Sequence, residues 1–277
     1  MLTKTKAAIV TTLFLSLGAQ ADTILNVATA GDQNMVDYVK TWLGPKFEAA
    51  HPGVKVRVIG TGPGDAGSNK ISEKLTAQQE SGAQQWDIDV AVVHQKAGGE
   101  QVAKGLLQKY RQDIQTGGMV SSPSATQALG VNVDGYVMPM FLSQTAIAWN
   151  SDLVTTPPAS YDELVAWTQK HPQAFGYNGI KNGMSGVSFV VGWIYAYGTD
   201  AQRLSAGPYD KSVEKGWQQA YEKLKAFNKN VTFTPGNAGT LDMLSRGEIA
   251  MGPVWVDMFY SWKDQGKLPP SIKLALL

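Results

Sequence analysis

Polar residues and glycines stand where the predicted strands of this chain end, which is where proteins of alternating strands and helices place their ligand-binding groups. Aromatic faces beside Asp, Gln and Ser suit a hydroxylated solute, because rings bury apolar area while polar groups direct hydrogen bonds. In the first half the candidates are Gly31, Asp32, Thr61, Gly62, Asp65, His94 and Gln95. In the second half they are Phe141, Ser143, Gln144, Met184, Ser185, Trp193, Trp255 and Asp257. The combination predicts a binding site for a small polar molecule.

Several candidates also have a purely structural interpretation. The glycines could simply supply positive φ angles in turns, and Asp32 and Asp257 could cap the helices that follow them. Trp193 lies in an apolar run and Trp255 ends an apolar strand, so both rings also suit a core. His94 could equally be a structural imidazole.

The charge of the ligand stays open at this level. A carbohydrate or polyol is favoured by the mixture of aromatic and neutral polar residues. The carboxylates of Asp32, Asp65 and Asp257 near tryptophan would instead suit a polyamine or another cation. Anion binding is the third alternative, for which the chain offers only four arginines, Arg57, Arg111, Arg203 and Arg246.

Catalytic and metal-binding patterns fail at specific positions, so no catalytic residue, metal or cofactor is predicted. Gly183 to Val187 departs from G-x-S-x-G by the place of its second glycine, and the loop after Gly62 lacks the Gly-Lys-Ser/Thr of a phosphate-binding loop. The three histidines are far apart, and without cysteine there is no thiolate ligand. An exported hydrolase is the alternative from another class, and a receptor that serves a sensor would look the same.

Strands and helices alternate through the first half. Alternation predicts strands at 23–29, 54–59 and 86–93 with helices between them, and hence a parallel sheet whose loops meet at one edge. After Asp134 extended segments are predicted at 136–140 and 145–150. Ser160 to Glu163 fits a capping box that begins a helix. Further helices are expected near 186–197, 211–228 and 240–246, with a strand at 248–255.

The first 21 residues resemble an export signal. Lys4 and Lys6 precede a twelve-residue apolar run and the small residues Ala19 and Ala21, as signal peptidase requires. The run is too short to span a membrane. Without this leader 22 basic and 23 acidic residues remain of the 24 and 23 in the chain, so nothing attracts nucleic acid or an anionic membrane.

Three segments in order resemble one protein family. They are AIAWNSDLV at 146–154, PPASYDEL at 157–164 and RGEIAMGPVW at 246–255. Together they resemble the family 1 extracellular solute-binding proteins of ABC transporters. In that family the strand ending in an aromatic residue and Asn, and the helix start that follows it, mark entry into the second lobe.

The resemblance implies an α/β fold of two Rossmann-like lobes with a hinge, similar to type II periplasmic binding proteins, that closes on a ligand. It places residues 22–143 in the first lobe and 144–268 in the second, with 269–277 returning as a strand to the first. The family usually continues with further helices, so a C-terminal part is expected to be missing. The implied protein is a monomeric periplasmic receptor, not an enzyme, that delivers a small molecule to ABC permease subunits.

Overall fold

The computed structural model describes residues 22–140, 142–200, 203–204 and 210–277. The predicted signal peptide and the candidate Phe141 lie outside the described residues. Among the described residues no helix is both long and apolar enough to cross a membrane.

The first lobe is built on a parallel sheet of three strands in the order β2–β1–β3. The strands are β1 (Thr23–Thr29), β2 (Val54–Gly60) and β3 (Val90–Val92). The helices are α1 (Gln33–Asp37), a π-helical turn (Tyr38–Leu43), α2 (Gly44–Ala50), α3 (Gly64–Glu80) and α4 (Gln95–Ala103). A short antiparallel pair, β4 (Gln127–Ala128) and β5 (Val131–Asn132), follows. The strand–helix alternation of the sequence is confirmed here.

The π-helical turn has a local cause in the chain. Pro45 has no backbone N–H, so it cannot close an α-helical bond to Thr41. The N–H of Gly44 bonds instead to the carbonyl of Val39, five residues back. The wider turn carries one continuous helical path past the proline.

The second lobe is built on a mixed five-stranded sheet in the order β10–β6–β9–β7–β8. The strands are β6 (Thr145–Asn150), β7 (Phe175–Tyr177), β8 (Val231–Phe233), β9 (Met251–Trp255) and β10 (Ile272–Ala275). The helices are α5 (Tyr161–Lys170), α6 (Met184–Tyr197), α7 (Gln218–Phe227), α8 (Asn237–Ser245) and α9 (Val256–Asp264), with 3₁₀ turns at Lys211–Trp217 and Asn228–Asn230. The predicted extended segment at 136–140 is not a strand.

The last strand is not where the sequence placed it. Residues 269–277 were expected to return to the first lobe, but β10 pairs antiparallel with β6 at the edge of the second sheet. Ile272 is buried there and packs with Ala148 and Leu268 in the second lobe. β6 is far away along the chain but would otherwise be the edge of the sheet, and an apolar strand that pairs with it satisfies its free backbone groups.

The serine half of the capping box at the start of α5 is confirmed, whereas the carboxylate of Glu163 reaches one residue beyond the N-cap. The Ser160 hydroxyl accepts from the N–H of Glu163 at 3.2 Å, and the Glu163 carboxylate accepts from the N–H of Ala159 at 2.9 Å. Two otherwise unpaired backbone donors are thereby satisfied at the helix start.

Candidate ligand site between the lobes

Residues after β1 supply the first wall of the crevice. Asp32 occupies the N-cap position of α1, but its side chain makes no cap hydrogen bond. The carboxylate instead accepts from the side-chain N–H of Asn237, in the second lobe, at 2.8 Å. The capping interpretation of Asp32 is therefore not the arrangement of this structure.

The two lobes touch at further points near Asp32. The side-chain amide of Asn34 donates to the carboxylate of Asp257 at 3.1 Å. A β-carbon placed on Gly64, at the start of α3, would lie 3.9 Å from the Cα of Gly183. The strand ends and helix starts of the two lobes therefore face each other with the crevice closed at these contacts.

Asp257 lies in the first turn of α9 and is held from two sides. Its carboxylate accepts from the hydroxyl of Ser143, on the segment that crosses between the sheets, and from Asn34 of the first lobe. The same helix start is fixed by the N–H of Val256, which donates to the carbonyl of Gln144 at 3.0 Å. Three predicted candidates, Ser143, Gln144 and Asp257, are thus brought together.

A buried polar cluster stands behind Asp32 in the second lobe. The Asn237 side-chain oxygen accepts from Asn178 at 2.9 Å and from the Ser185 hydroxyl at 2.8 Å. These three side chains are at most 5% exposed. Because its oxygen is engaged by these donors, Asn237 must turn its N–H₂ toward Asp32. The predicted candidate Ser185 therefore influences the crevice indirectly, because it helps to orient Asn237.

Burial and neighbouring charges shift the titration of two groups on the first wall. Burial raises the pKa of Asp32 and the negative charge of Asp257 raises it further, against the hydrogen bond from Asn237 and the charge of His94. Burial lowers the pKa of His94, against the attraction of Asp65 and Asp32. The imidazole therefore favours its neutral form and contributes little positive charge at neutral pH.

Asp32 and Asp257 have no lysine or arginine partner within the part of the chain that the structure describes. Lys96 lies 3.7 Å from the third carboxylate, that of Asp65. The side-chain oxygen of Asn34 and Nδ1 of His94 are also buried there without a hydrogen-bond partner. Within the described residues the crevice is consequently rich in acceptors, and its one lysine contact is at Asp65, away from Asp32 and Asp257.

The remaining candidates lie in or beside the same loops. Gln95 and Met184 are the first residues of α4 and α6. Gly31 has no room for a side chain, because a β-carbon there would clash with Met35. Gly62 has φ +93°, and its carbonyl would lie 1.8 Å from a β-carbon on Gly67. The turn interpretation of this glycine-rich loop thus has direct support.

Three other candidates have structural contacts. The Thr61 hydroxyl lies 2.9 Å from the carbonyl of Gly67 and 3.1 Å from that of Thr29. Trp193 is fully buried in the core of the second lobe and does not line the crevice. Trp255 is partly buried against the second core cluster, two residues before Asp257.

Sequence reasoning missed the three asparagines Asn34, Asn178 and Asn237. Asn34 is two residues beyond Asp32, and Asn237 opens α8 directly after a Pro-Gly pair, so both stood at recognisable helix starts. Asn178 follows β7, a strand too short to be predicted. Within the described residues no group of three His, Asp or Glu side chains could hold a metal ion.

The fold is that of the substrate-binding proteins of ABC transporters. Maltose-bound MalE3 of T. maritima has TM-score 0.67 and 17% identity over 92% of this chain and 67% of its own. The spermidine/putrescine-binding PotD of Streptococcus pneumoniae has TM-score 0.62 and 13% identity over 92% and 68%. The Atu4243 GABA receptor has TM-score 0.62 and 22% identity over 91% and 68%.

Residues 42–276 match the model of the bacterial extracellular solute-binding protein family. The chain belongs to this family, and the resemblance drawn from its three motifs is confirmed. No curated protein sequence matches the chain.

Proposed function

We propose that this protein is the periplasmic receptor of an ABC uptake transporter and that it captures a small, positively charged solute in the crevice between Asp32 and Asp257. The two lobes, divided near residues 143–144, close on the solute and present it to permease subunits. The ligand leaves chemically unchanged, and the receptor acts as a monomer. The family membership and the fold support the transport role.

The single observation that carries the charge of the ligand is the pair of carboxylates for which the described residues provide no lysine or arginine partner. Closure brings Asp32 of the first lobe toward Asp257 of the second, and each negative charge disfavours the other. The repulsion adds to the effect of burial in raising the pKa of Asp32, although water partly screens it because Asp257 is exposed. A protonated amine bound between the two carboxylates would attract both of them. The bound ligand would therefore stabilise the closed form.

The unpartnered acceptors support the same ligand class. The Asn34 side-chain oxygen requires a donor that the described residues do not provide, and its amide already faces Asp257. An ammonium group has three donors and no acceptor. It therefore complements the unpartnered oxygen of Asn34 and the two carboxylates beside it.

A neutral carbohydrate or polyol is the second candidate. It is favoured by the amides and hydroxyls of the second lobe, where Asn178, Ser185 and Asn237 form one network. Thr145 and Ser188 add a hydroxyl pair 2.8 Å apart. Amides and hydroxyls can both donate hydrogen bonds to ligand hydroxyls and accept them. The two aspartates, while ionised, can only accept them.

Calorimetric titration with putrescine, spermidine, maltose and glycerol tests the proposal. At least one amine should bind, and Asp257→Asn should weaken it by at least about tenfold, because one charge-assisted contact is lost. Asp264→Asn is the matched control, since Asp264 is exposed at the other end of the same helix. Binding of maltose or glycerol alone, or equal amine binding by both variants, would contradict a cationic ligand.

The same titration separates a receptor from a hydrolase. The solute recovered after dissociation should be chemically intact by mass spectrometry, and the melting temperature should rise with its concentration. Product formation would overturn the receptor function whatever the charge of the ligand.

A further inference from the structure

A second cavity, of about 430 Å³, lies in the first lobe between β2 and α3. Ala28, Ile59, Ile71 and Ile88 contribute its apolar lining, and Arg57, Lys70, Lys74, Asp87 and Thr61 its polar lining. Its size is that of a small-molecule pocket. We call it the β2–α3 cavity.

Two sequence periodicities create this lining. Arg57, Ile59 and Thr61 alternate along the strand and beyond its end, so they face the same side of the sheet. Ile71 and Lys74 are three residues apart on α3 and therefore share one face of the helix. Because β2 is an edge strand, no further strand covers this side of the cavity within the described residues.

The basic side chains of the cavity differ in whether they have an ion-pair or hydrogen-bond partner. Lys74 forms an ion pair with Asp87 at 2.7 Å. Among the described residues, the ammonium of Lys70 donates only to the carbonyl of Thr61, at 3.3 Å. Arg57 donates only through Nε, to the side chain of Asn26 at 2.7 Å. The terminal nitrogens of its guanidinium have no partner in the part of the chain that the structure describes.

The apolar lining is also incompletely covered. Ile71 is fully buried and Ile88 nearly so, but Ile59 is 38% exposed at the mouth. Covering Ile59 with an alkyl group would remove apolar area from water. The cavity therefore combines unused donors of positive charge with apolar surface that can still be buried.

We propose that the β2–α3 cavity is a second binding site, for a small carboxylate that carries an alkyl chain. The carboxylate lies between the Arg57 guanidinium and the Lys70 ammonium, which are the groups that bind such anions. The alkyl chain lies on Ile59, Ile71 and Ile88. The proposal is independent of the crevice and of the ligand bound there, because the two sites have opposite charge and share no proposed contact.

Hexanoate is the probe that tests this proposal, with hexan-1-ol and hexylamine as probes of equal chain length. Calorimetric titration of the protein should give saturable binding of hexanoate. Hexan-1-ol should bind at least about tenfold more weakly because it lacks the charge. Hexylamine, which the crevice could bind, should not shift the methyl resonances of the cavity isoleucines. Isoleucine methyl resonances should shift on binding at Ile59, Ile71 and Ile88.

The double variant Arg57→Ala, Lys70→Ala should lose at least about tenfold in hexanoate affinity. The matched control Lys229→Ala, Lys263→Ala removes the same charge from exposed lysines of the second lobe and should bind as the parent does. If the first variant fails to fold, Lys70→Gln alone should still weaken binding.

Three results would overturn the proposal. They are equal binding of hexanoate and hexan-1-ol, equal affinity in the cavity and control variants, and methyl shifts that exclude all three isoleucines. None of them bears on the transport role, which is tested separately by the amine and sugar titrations.

Discussion

The aromatic core of the second lobe and the crevice between the lobes are built from opposite principles. In the core Phe175, Phe189, Trp193 and Phe227 contact one another through ring pairs 4.9–6.2 Å apart. Shape and buried area stabilise this region, and its residues come from α6, α7 and β7 of one lobe. The crevice instead joins two lobes by hydrogen bonds between single polar side chains.

The difference shows how stability and binding are separated in this molecule. Removing apolar area from the core should lower the free energy of unfolding with little effect on the crevice, whose aspartates lie on other elements and whose Ser185 lies at the start of α6, two helical turns before Trp193. Removing a carboxylate from the crevice relieves repulsion between unpaired charges and should affect the ligand more than the fold. The four substitutions below test this separation.

Trp193→Ala should have the largest effect on stability. A fully buried indole is lost from the cluster, and such truncations cost about 3–5 kcal/mol. Urea unfolding measures the loss, and Trp193→Phe is the control that keeps a ring in place. The folded variant should bind the ligand with the same affinity as the parent. If the variant is fully folded but binds much more weakly, Trp193 belongs to the binding site.

Asn237→Ala should have the next largest effect, because this residue belongs to both regions. Its loss removes the donor to Asp32 and the shared acceptor of Asn178 and Ser185, which keep only longer hydrogen bonds of 3.3–3.4 Å. An unsatisfied buried polar group costs about 1–3 kcal/mol. Affinity should fall together with stability, whereas a change in stability alone would show that the Asp32 contact does not matter for closure.

Ser160→Ala should cost about 1 kcal/mol, the usual value of an N-cap. The hydroxyl that accepts from the N–H of Glu163 is lost at the start of α5, which carries none of the crevice residues. Thermal unfolding measures the cost, and Ser160→Asp should restore most of it because Asp also caps helices. Ligand affinity should be unchanged in both variants, and any loss would indicate that α5 influences the crevice.

Asp32→Asn should give the smallest change in stability, and its sign should depend on pH. Because the pKa of Asp32 is raised in the folded protein, its contribution is most favourable below the unfolded pKa and is lost as pH rises through the folded pKa. The ligand-free variant should therefore be more stable than the parent at neutral pH, with the difference vanishing in acid.

The same residue should control the pH dependence of amine binding. A cationic ligand favours ionised Asp32, so affinity should rise as pH increases through its raised pKa. In Asp32→Asn the increase of affinity that follows the ionisation of Asp32 should be absent. The remaining increase of affinity with pH reflects the deprotonation of His94, whose pKa is lowered. Identical pH profiles for parent and variant would remove Asp32 from the binding site.

Much of the fold could be predicted from local pattern. The strands 23–29, 54–60 and 145–150 and the capped start of α5 follow from alternation and from single side chains that bond to nearby backbone. The placement of β10 could not be predicted in this way. The partner of an edge strand depends on which neighbouring strand has free backbone groups, and that is a property of the assembled sheet.

The sequence predicted which types of residue lie at the candidate site better than it predicted which residues they contact. Asp32, Ser143, Ser185 and Asp257 were identified because they stand at strand ends and helix starts. Trp193 was also named, but its helical spacing with Phe189 belongs to the core, and the sequence pattern left both interpretations open.

By itself the sequence determined the class of fold, the family and the chemical types that reach the crevice, because these depend on periodicity and on motifs of neighbouring residues. Only the tertiary structure decided that Asp32 meets Asn237 and stands beside Asp257 without a basic partner. These residues are separated by about two hundred positions, and their distance is set by the packing of two sheets. The repulsion between two carboxylates exists only once folding has brought them together.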